Sequence, residues 1–326
     1  MMPRVRDLPP PRVAVVGAGD IGRGWAALAS AAGWTVSLYD PSTAAIAEAE
    51  GEIRHRVARL RRLTRRGAPT DTPAGEVREG RSLLHAVGDA DWIIEAAPEE
   101  LGLKQRLLEQ IEQVARRSAV ITSSASGLHA SALSARLRAP ERLLVAHPLN
   151  PVDLLPVVEV VPGPATASEC VEDVRTWLLR LGRVPIVLRR EVPGNAIGRI
   201  AAAVWRECIQ LVLDDVVDVA DLDRLVALGP ALGWASGGPH LTYHLGAGEE
   251  GLPVFLGNLI GTFEQWWAGL ATWDRLSGEE QARLVRLVEQ AYGHAGEGRV
   301  AELRAARDAR LLRLLDAAGD DDPVRA

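Results

Sequence analysis

The sequence is short of lysine, cysteine, methionine, phenylalanine and tyrosine, and the shortages narrow what the chain can be. Its 37 basic residues include one lysine, Lys104, and against 43 acidic residues they leave a formal net charge of −6. A chain of that sign suits neither nucleic acid nor an anionic membrane, and neither is expected as a partner. The two cysteines, Cys170 and Cys208, lie far apart and form no zinc-ligand pattern. They read as buried thiols of a reducing compartment rather than as a disulfide. No apolar run approaches the length of a membrane span, and Met1–Pro11 has no signal-peptide core. That start reads as a short, Pro-rich, loosely held tail. The expectation is a cytoplasmic protein without a metal.

What is present is an ordinary globular composition over 326 residues, more than one compact domain usually takes. Arg12–Val16 is an apolar, β-rich run that breaks into a glycine cluster. Ile21–Ala32 reads as a small-residue helix and Thr35–Tyr39 as a second strand. Ala44–Arg66 is predicted helical, and strand candidates follow at Trp92–Ala96, Ala119–Ser123, Leu143–Ala146, Val157–Val161 and Pro185–Leu188, with a helix at Leu103–Val114. After Pro193 the strands stop. Ile197, Ile200, Ala201, Val204, Cys208 and Leu211 recur at helical spacing, and Asp218 is placed to cap the next helix. The fold class predicted is α/β: a Rossmann-type doubly wound sheet over 1–191, then an all-helical domain over 192–326.

Gly17-Ala18-Gly19-Asp20-Ile21-Gly22 joins the first strand to the first helix. Gly17 allows a tight turn, Gly19 leaves room for a pyrophosphate against bare backbone, and Gly22 lets the helix pack on the sheet. The first turn of that helix offers free N–H groups and a positive dipole end to the phosphates. Asp40 ends the second strand, where a carboxylate accepts from a ribose 2′-OH and repels a 2′-phosphate; Pro41-Ser42-Thr43 supplies no arginine to hold one. NAD is therefore expected rather than NADP.

His147, in Ala146-His147-Pro148-Leu149-Asn150-Pro151, ends a strand at the edge where open α/β sheets bind ligands. Glu159 lies on the next apolar run. A carboxylate on one imidazole nitrogen fixes the tautomer and leaves the other nitrogen to exchange a proton with substrate. Ser123, Ser124 and Ser126 follow the strand at Ala119–Ser123 and reach the same edge.

These motifs resemble the 3-hydroxyacyl-CoA dehydrogenase family, and more closely its branch containing L-gulonate 3-dehydrogenase (lambda-crystallin) and L-carnitine dehydrogenase. The resemblance runs from about Arg12 to Leu315 through GAGDIGRGWA, IIEAAPEELGLKQRLL, SSASGL, HPLNPVDLLPVVEVV, EVPG and GPALGWASGGPHLTYHL. It implies that His147 is the general base in oxidation, held by Glu159, with Ser126 on the substrate oxygen. It implies that Ala97, Glu99 and Lys104 belong to the cofactor site, that Asn150, Asn195 and Trp234 contact a small hydroxy or keto substrate, and that the helical domain forms a homodimer.

Two positions depart from the family. Gly198 stands where many members carry an active-site asparagine, with Asn195 one helical turn earlier, and Gly233 stands where close relatives place an arginine. The changes weaken recognition of a carboxylate, enlarge the cleft for another substrate, or slow the enzyme. The leading expectation is an NAD-dependent dehydrogenase of a free 3-hydroxy acid. The alternatives are a thioester (acyl-CoA or acyl-carrier) dehydrogenase and a family member that binds NAD with reduced or lost catalysis. The seven arginines between Arg54 and Arg66 read as a solvated helix face. Trp234, Tyr243, Trp266 and Trp267 read as core or dimer interface, with a cation–π site for a quaternary ammonium as the other reading. His240 and His244 lack a supporting carboxylate pattern, so no metal is expected there.

Overall fold

A computed structural model of the chain describes residues 9–62, 73–296 and 298–318. The N-terminal tail up to Leu8, Arg65, Arg66 and the acidic Asp320–Asp322 lie outside the described residues. The chain forms two compact units, Met1–Arg199 and Ile200–Ala326.

In the first unit the apolar runs become strands β1 (Val13–Val16), β2 (Val36–Tyr39), β3 (Val77–Glu79), β4 (Trp92–Glu95), β5 (Val120–Ser123), β6 (Leu143–Pro148), β7 (Val157–Pro162) and β8 (Val184–Val187). They form one sheet in the order β3-β2-β1-β4-β5-β6-β7-β8. β6 and β7 pair antiparallel, and every other pairing is parallel. The central strands are apolar on both faces because helices cover both. Val13 and Val15 belong to one core, with α1 (Asp20–Ala31), α2 (Thr43–Arg62) and α6 (Ser168–Arg180). Ala14 and Val16 belong to the other, with α3 (Leu83–Val87), α4 (Leu101–Val114) and α5 (Ala130–Leu133). β3, α3, α5 and α6 were not anticipated; β3 is three residues of an edge strand, two of them charged and exposed.

Four of the nine tryptophans serve the first core: Trp25, Trp34 and Trp92 are buried in it and Trp177 packs against it. Trp25 meets Trp92 edge-on at 5.9 Å, and Trp92 stacks on Trp177 at 5.3 Å. Such pairs add about 0.5–1.5 kcal/mol beyond their burial. The indole N–H groups of Trp25 and Trp92 are satisfied: Trp25 donates to Ser124 Oγ at 3.0 Å and Trp92 to Thr122 Oγ1 at 2.9 Å.

The arginine-rich stretch of α2 is not a simple solvated face. Arg54 is exposed, but Arg56 is 8% exposed and turns inward to Asp20 and Glu52, and Arg59 pairs with the buried Asp153. Burial opposes the charge on Glu52, yet hydrogen bonds from Arg23 and Arg56 hold its carboxyl below the ordinary value. Alternate arginines reach inward because the loop after β6 and the start of α1 each present a carboxylate to the helix.

α7 (Asn195–Leu213) starts in the first unit, so the division between units falls inside a helix and after the 191/192 boundary read from sequence. The second unit is helical from α8 (Val219–Leu228) through α9 (Pro230–Ala235), α10 (Gly238–Leu245), α11 (Gly251–Gly269), α12 (Gly278–Tyr292) and α13 (Arg299–Ala318). Asp218 caps α8 by accepting from Asp221 N–H, and Ser277 with Glu280 closes a capping box on α12. Both cysteines are free and half-buried, and burial pushes each thiol up. No described helix is long and apolar enough to cross a membrane.

Candidate active site

The strand order reverses direction of growth between β1 and β4, and the C-terminal ends of β1, β4, β5 and β6 share one edge. A ligand crevice opens at such a point. The sequence-predicted site residues of the first unit lie at or near the strand ends, in the loops that follow them, or in the first turns of α1, α4 and α7.

The glycine turn follows β1. Gly17 has φ +114°, and a Cβ there would sit 2.6 Å from the Ala96 carbonyl oxygen. A Cβ on Gly22 would sit 1.8 Å from the Gly17 carbonyl oxygen. Both glycines are thus required by the protein's own packing. Gly19 is different: a Cβ there would meet nothing within 4 Å. It is the N-cap of α1 and supplies no side-chain cap to the N–H groups of the first turn, which face open space at this position. That cradle fits a pyrophosphate. Asp40 accepts from Ala18 N–H at 2.8 Å and Ser42 N–H at 2.9 Å, which fixes its carboxylate at the end of β2 where a ribose diol would be read. Asp20, with Ile21 in the first turn of α1, accepts from Arg56 and from Asn150 Nδ2 at 3.0 Å. Asn150 therefore ties the loop after His147 to the glycine turn.

The His147–Glu159 pair is set by register. His147 and Glu159 are directly opposed across the antiparallel β6–β7 ladder, and His147 Nδ1 lies 2.9 Å from Glu159 Oε2. His147 is 8% exposed and Glu159 1%. The second carboxylate oxygen accepts from Ala196 N–H at 2.8 Å and Ile197 N–H at 2.9 Å, in the first turn of α7. Glu159 thus caps α7 and orients His147 at once, and the helix dipole favours its charge. With Nδ1–H donated to the carboxylate, Nε2 keeps its lone pair for a substrate proton.

Ser126 lies exposed on the loop after β5, and its hydroxyl makes no hydrogen bond among the described residues. Its backbone is held from two sides. Glu99 Oε1 accepts from Ser126 N–H and Gly127 N–H, each at 2.9 Å, and Asn195 Nδ2 donates to the Ser126 carbonyl oxygen at 3.4 Å. Asn195 is 5% exposed and has φ +50°, a left-handed backbone that asparagine tolerates better than most residues. A Cβ on Gly198 would meet nothing within 4 Å, so no side chain takes the place of the missing asparagine there.

Sequence reading missed Glu95, the last residue of β4, which is fully buried. Lys104 Nζ donates to Glu95 Oε1 at 2.8 Å, to Glu95 Oε2 at 3.0 Å and to the Ala97 carbonyl oxygen at 2.9 Å. A compact ammonium meets three acceptors in a space that leaves Lys104 1% exposed, which a planar guanidinium does not match. The visible signal was an acid closing an apolar strand nine residues before the only lysine. Trp234 is half-buried on α9, in the second unit. Among the described residues no group of three or more His, Cys, Asp or Glu is placed to hold a metal.

Residues 12–192 match the NAD binding domain of 3-hydroxyacyl-CoA dehydrogenase. The chain belongs to the 3-hydroxyacyl-CoA dehydrogenase family. It is 38% identical to an L-carnitine dehydrogenase of Pseudomonas aeruginosa, over 93% of this chain and 92% of that one. It is 34% identical to an L-carnitine dehydrogenase of Oceanobacillus iheyensis, over 95% and 98%. Among solved structures, an NAD+-dependent dismutase, 5-formyl-3-hydroxy-2-methylpyridine 4-carboxylic acid 5-dehydrogenase, superposes with a TM-score of 0.79 at 26% identity, covering 93% of this chain and 96% of that one.

Since the protein itself has room for a methyl at Gly19, Gly19→Ala separates ligand from fold. The variant is expected to melt with the wild type but to bind NADH about tenfold more weakly in a fluorescence titration, a loss of about 1.4 kcal/mol. Undiminished affinity would remove the pyrophosphate from this turn.

Proposed function

We propose that the protein is an NAD-dependent dehydrogenase that interconverts a free, carnitine- or gulonate-like 3-hydroxy acid and its 3-keto form. The observation that carries this reading is the buried His147–Glu159 pair at the crevice edge, with Asn195, at the start of the helix that Glu159 caps, holding the Ser126 carbonyl. The full-length likeness to L-carnitine dehydrogenases supports the substrate class.

NAD, when bound along Gly17, Gly19, Asp20, Ile21, Gly22, Asp40, Ala97 and Glu99, supplies the hydride acceptor for oxidation and, as NADH, the donor for reduction. His147 Nε2 removes the hydroxyl proton as the carbinol carbon is oxidised, and returns it in reduction. Glu159 holds the imidazole in the tautomer that can do so and stabilises the imidazolium that forms. Ser126 donates to the substrate oxygen and steers it toward Nε2. Asn195 sets the height of the Ser126 loop, and Asn150 adds a substrate contact. Glu95 and Lys104 are spent on each other, so Lys104 acts on the cofactor site through Ala97.

The second unit is proposed to form a homodimer in the cytoplasm. Leu225 (58% exposed), Leu228 (72%), Trp266 (59%) and Trp267 (55%) present large apolar surface that a monomer would leave in water. Phe263, which touches both tryptophans at 5.0 and 5.8 Å, joins them to Tyr243 and Phe255 in one aromatic cluster. Light scattering is expected to show a dimer, and Trp266→Glu/Trp267→Glu a monomer. A monomeric wild type would refute the interface.

A screen for NADH formation with L-carnitine, L-gulonate and other free 3-hydroxy acids, run beside 3-hydroxyacyl thioesters, tests the activity. Turnover of a free acid is expected. His147→Ala is expected to lower kcat about 10²- to 10⁴-fold while NADH binding persists. Turnover of thioesters alone would reassign the substrate class, and an unchanged rate in His147→Ala would reassign the base.

A further inference from the structure

Glu95 is a fully buried carboxylate that the proton-transfer chemistry does not use. Charged groups in that position are costly unless every oxygen is engaged, and a buried ion pair is on average no more stabilising than apolar residues of the same shape. What the pair does for its surroundings therefore decides why it is worth having.

Its surroundings are the two halves of the reaction site. In the sheet, Glu95 stands between Val16, the last residue before the glycine turn, and Ser123, the last residue before the Ser126 loop. Its Oε1 accepts from Ala97 N–H at 2.6 Å, and its Oε2 accepts from Ser123 Oγ–H. Lys104, held by both Glu95 oxygens, donates to the Ala97 carbonyl oxygen at 2.9 Å. Ala97 is thus gripped at its N–H by the anion and at its C=O by the cation of the same pair. The turn so fixed is the one that presses on the glycine motif, because the Ala96 carbonyl oxygen lies 2.6 Å from where a Cβ of Gly17 would be. The same turn carries Glu99, whose Oε2 lies 3.8 Å from Lys104 Nζ and whose Oε1 holds Ser126 N–H and Gly127 N–H.

We propose that Glu95 is a positioning residue of the hydride-transfer site: with Lys104 it locks the Ala97–Glu99 turn, and that turn sets both the cofactor-facing wall at Gly17 and the height of the Ser126 hydroxyl. The inference rests on the dehydrogenase reading for its substrate side and stands without it for its cofactor side. It also accounts for the one lysine. An arginine serves wherever a surface charge is wanted, but three convergent acceptors at the end of a buried strand call for an ammonium.

The test uses the full-length protein with Glu95→Gln, which leaves the Lys104 charge poorly matched, and Glu95→Leu/Lys104→Met, which replaces the pair by apolar groups and preserves folding where a lone charge does not. Each folded variant is titrated with NADH and assayed with the 3-hydroxy acid that the wild type turns over. NADH is expected to bind about tenfold more weakly to both, the result of leaving Ala97's peptide without its matched partners. kcat/KM for the hydroxy acid is expected to fall about 10²-fold, as a displaced Ser126 would impose. Thermal stability of the double variant is expected to stay near that of the wild type. A role in folding alone predicts the opposite pattern, a shifted melting temperature with unchanged NADH affinity, and wild-type affinity in either folded variant overturns the proposal. The titration needs no substrate, so a wild type inactive on every 3-hydroxy acid counts against the dehydrogenase reading and leaves this result to be read on its own.

Discussion

One carboxylate carries an unusual share of this structure. Glu159 is 1% exposed, and both its oxygens are engaged by groups from different elements: His147 on the neighbouring strand, and the N–H groups of Ala196 and Ile197 at the start of α7. A buried anion survives only with such partners, since desolvation alone would cost several kcal/mol. Here the partners are the His147 imidazole and a helix end whose N–H groups must be satisfied. The same bonds do both, so the position of α7 and the orientation of the imidazole are not independent. Asn195, at the first residue of that helix, passes the constraint on to the Ser126 carbonyl.

The other half of the crevice is built on the same rule with a different anion. Glu95 fastens the Ala97 turn, which lies against Gly17, and Glu99 on that turn holds the Ser126 backbone. Ser126 is therefore reached from both carboxylate systems, one through Asn195 and one through Glu99. A third set of charges, Arg56 and Arg59 with Asp20 and Asp153, ties α2 to the glycine turn and to the loop after His147. On the proposed reading, in which Ser126 and His147 meet the substrate, holding both in near-attack geometry is worth several orders of magnitude in rate and needs rigid supports of this kind.

The glycine turn was legible because its chemistry is local: three glycines and an acid at fixed spacing between a strand and a helix. The β6–β7 pairing was also within reach of pattern reading, because the apolar run at 157–161 returns through a short proline-containing segment. Other features depend on distant parts of the chain. The bond from Asn150 to Asp20 joins residues 130 positions apart, and no spacing rule anticipates it. Arg56 and Arg59 looked like members of a solvated run because Asp20 and Asp153, which draw them inward, lie 36 and 94 positions away. Glu95 was overlooked because an acid at the end of an apolar strand reads as the strand's stop; only its partner, the single lysine, hinted otherwise. The start of the helical region was read correctly as a change of period after Pro193, but periodicity does not show that the first turn of α7 is held by the sheet through Glu159.

The most direct test of the account is the steady-state kcat of Glu159→Gln with NAD+ and the 3-hydroxy acid that the wild type oxidises. If one carboxylate aims the base and anchors the helix beside it, kcat should fall by about 10²-fold or more in protein that remains folded and still binds NADH. A Glu159→Gln enzyme that turns over at the wild-type rate would contradict it.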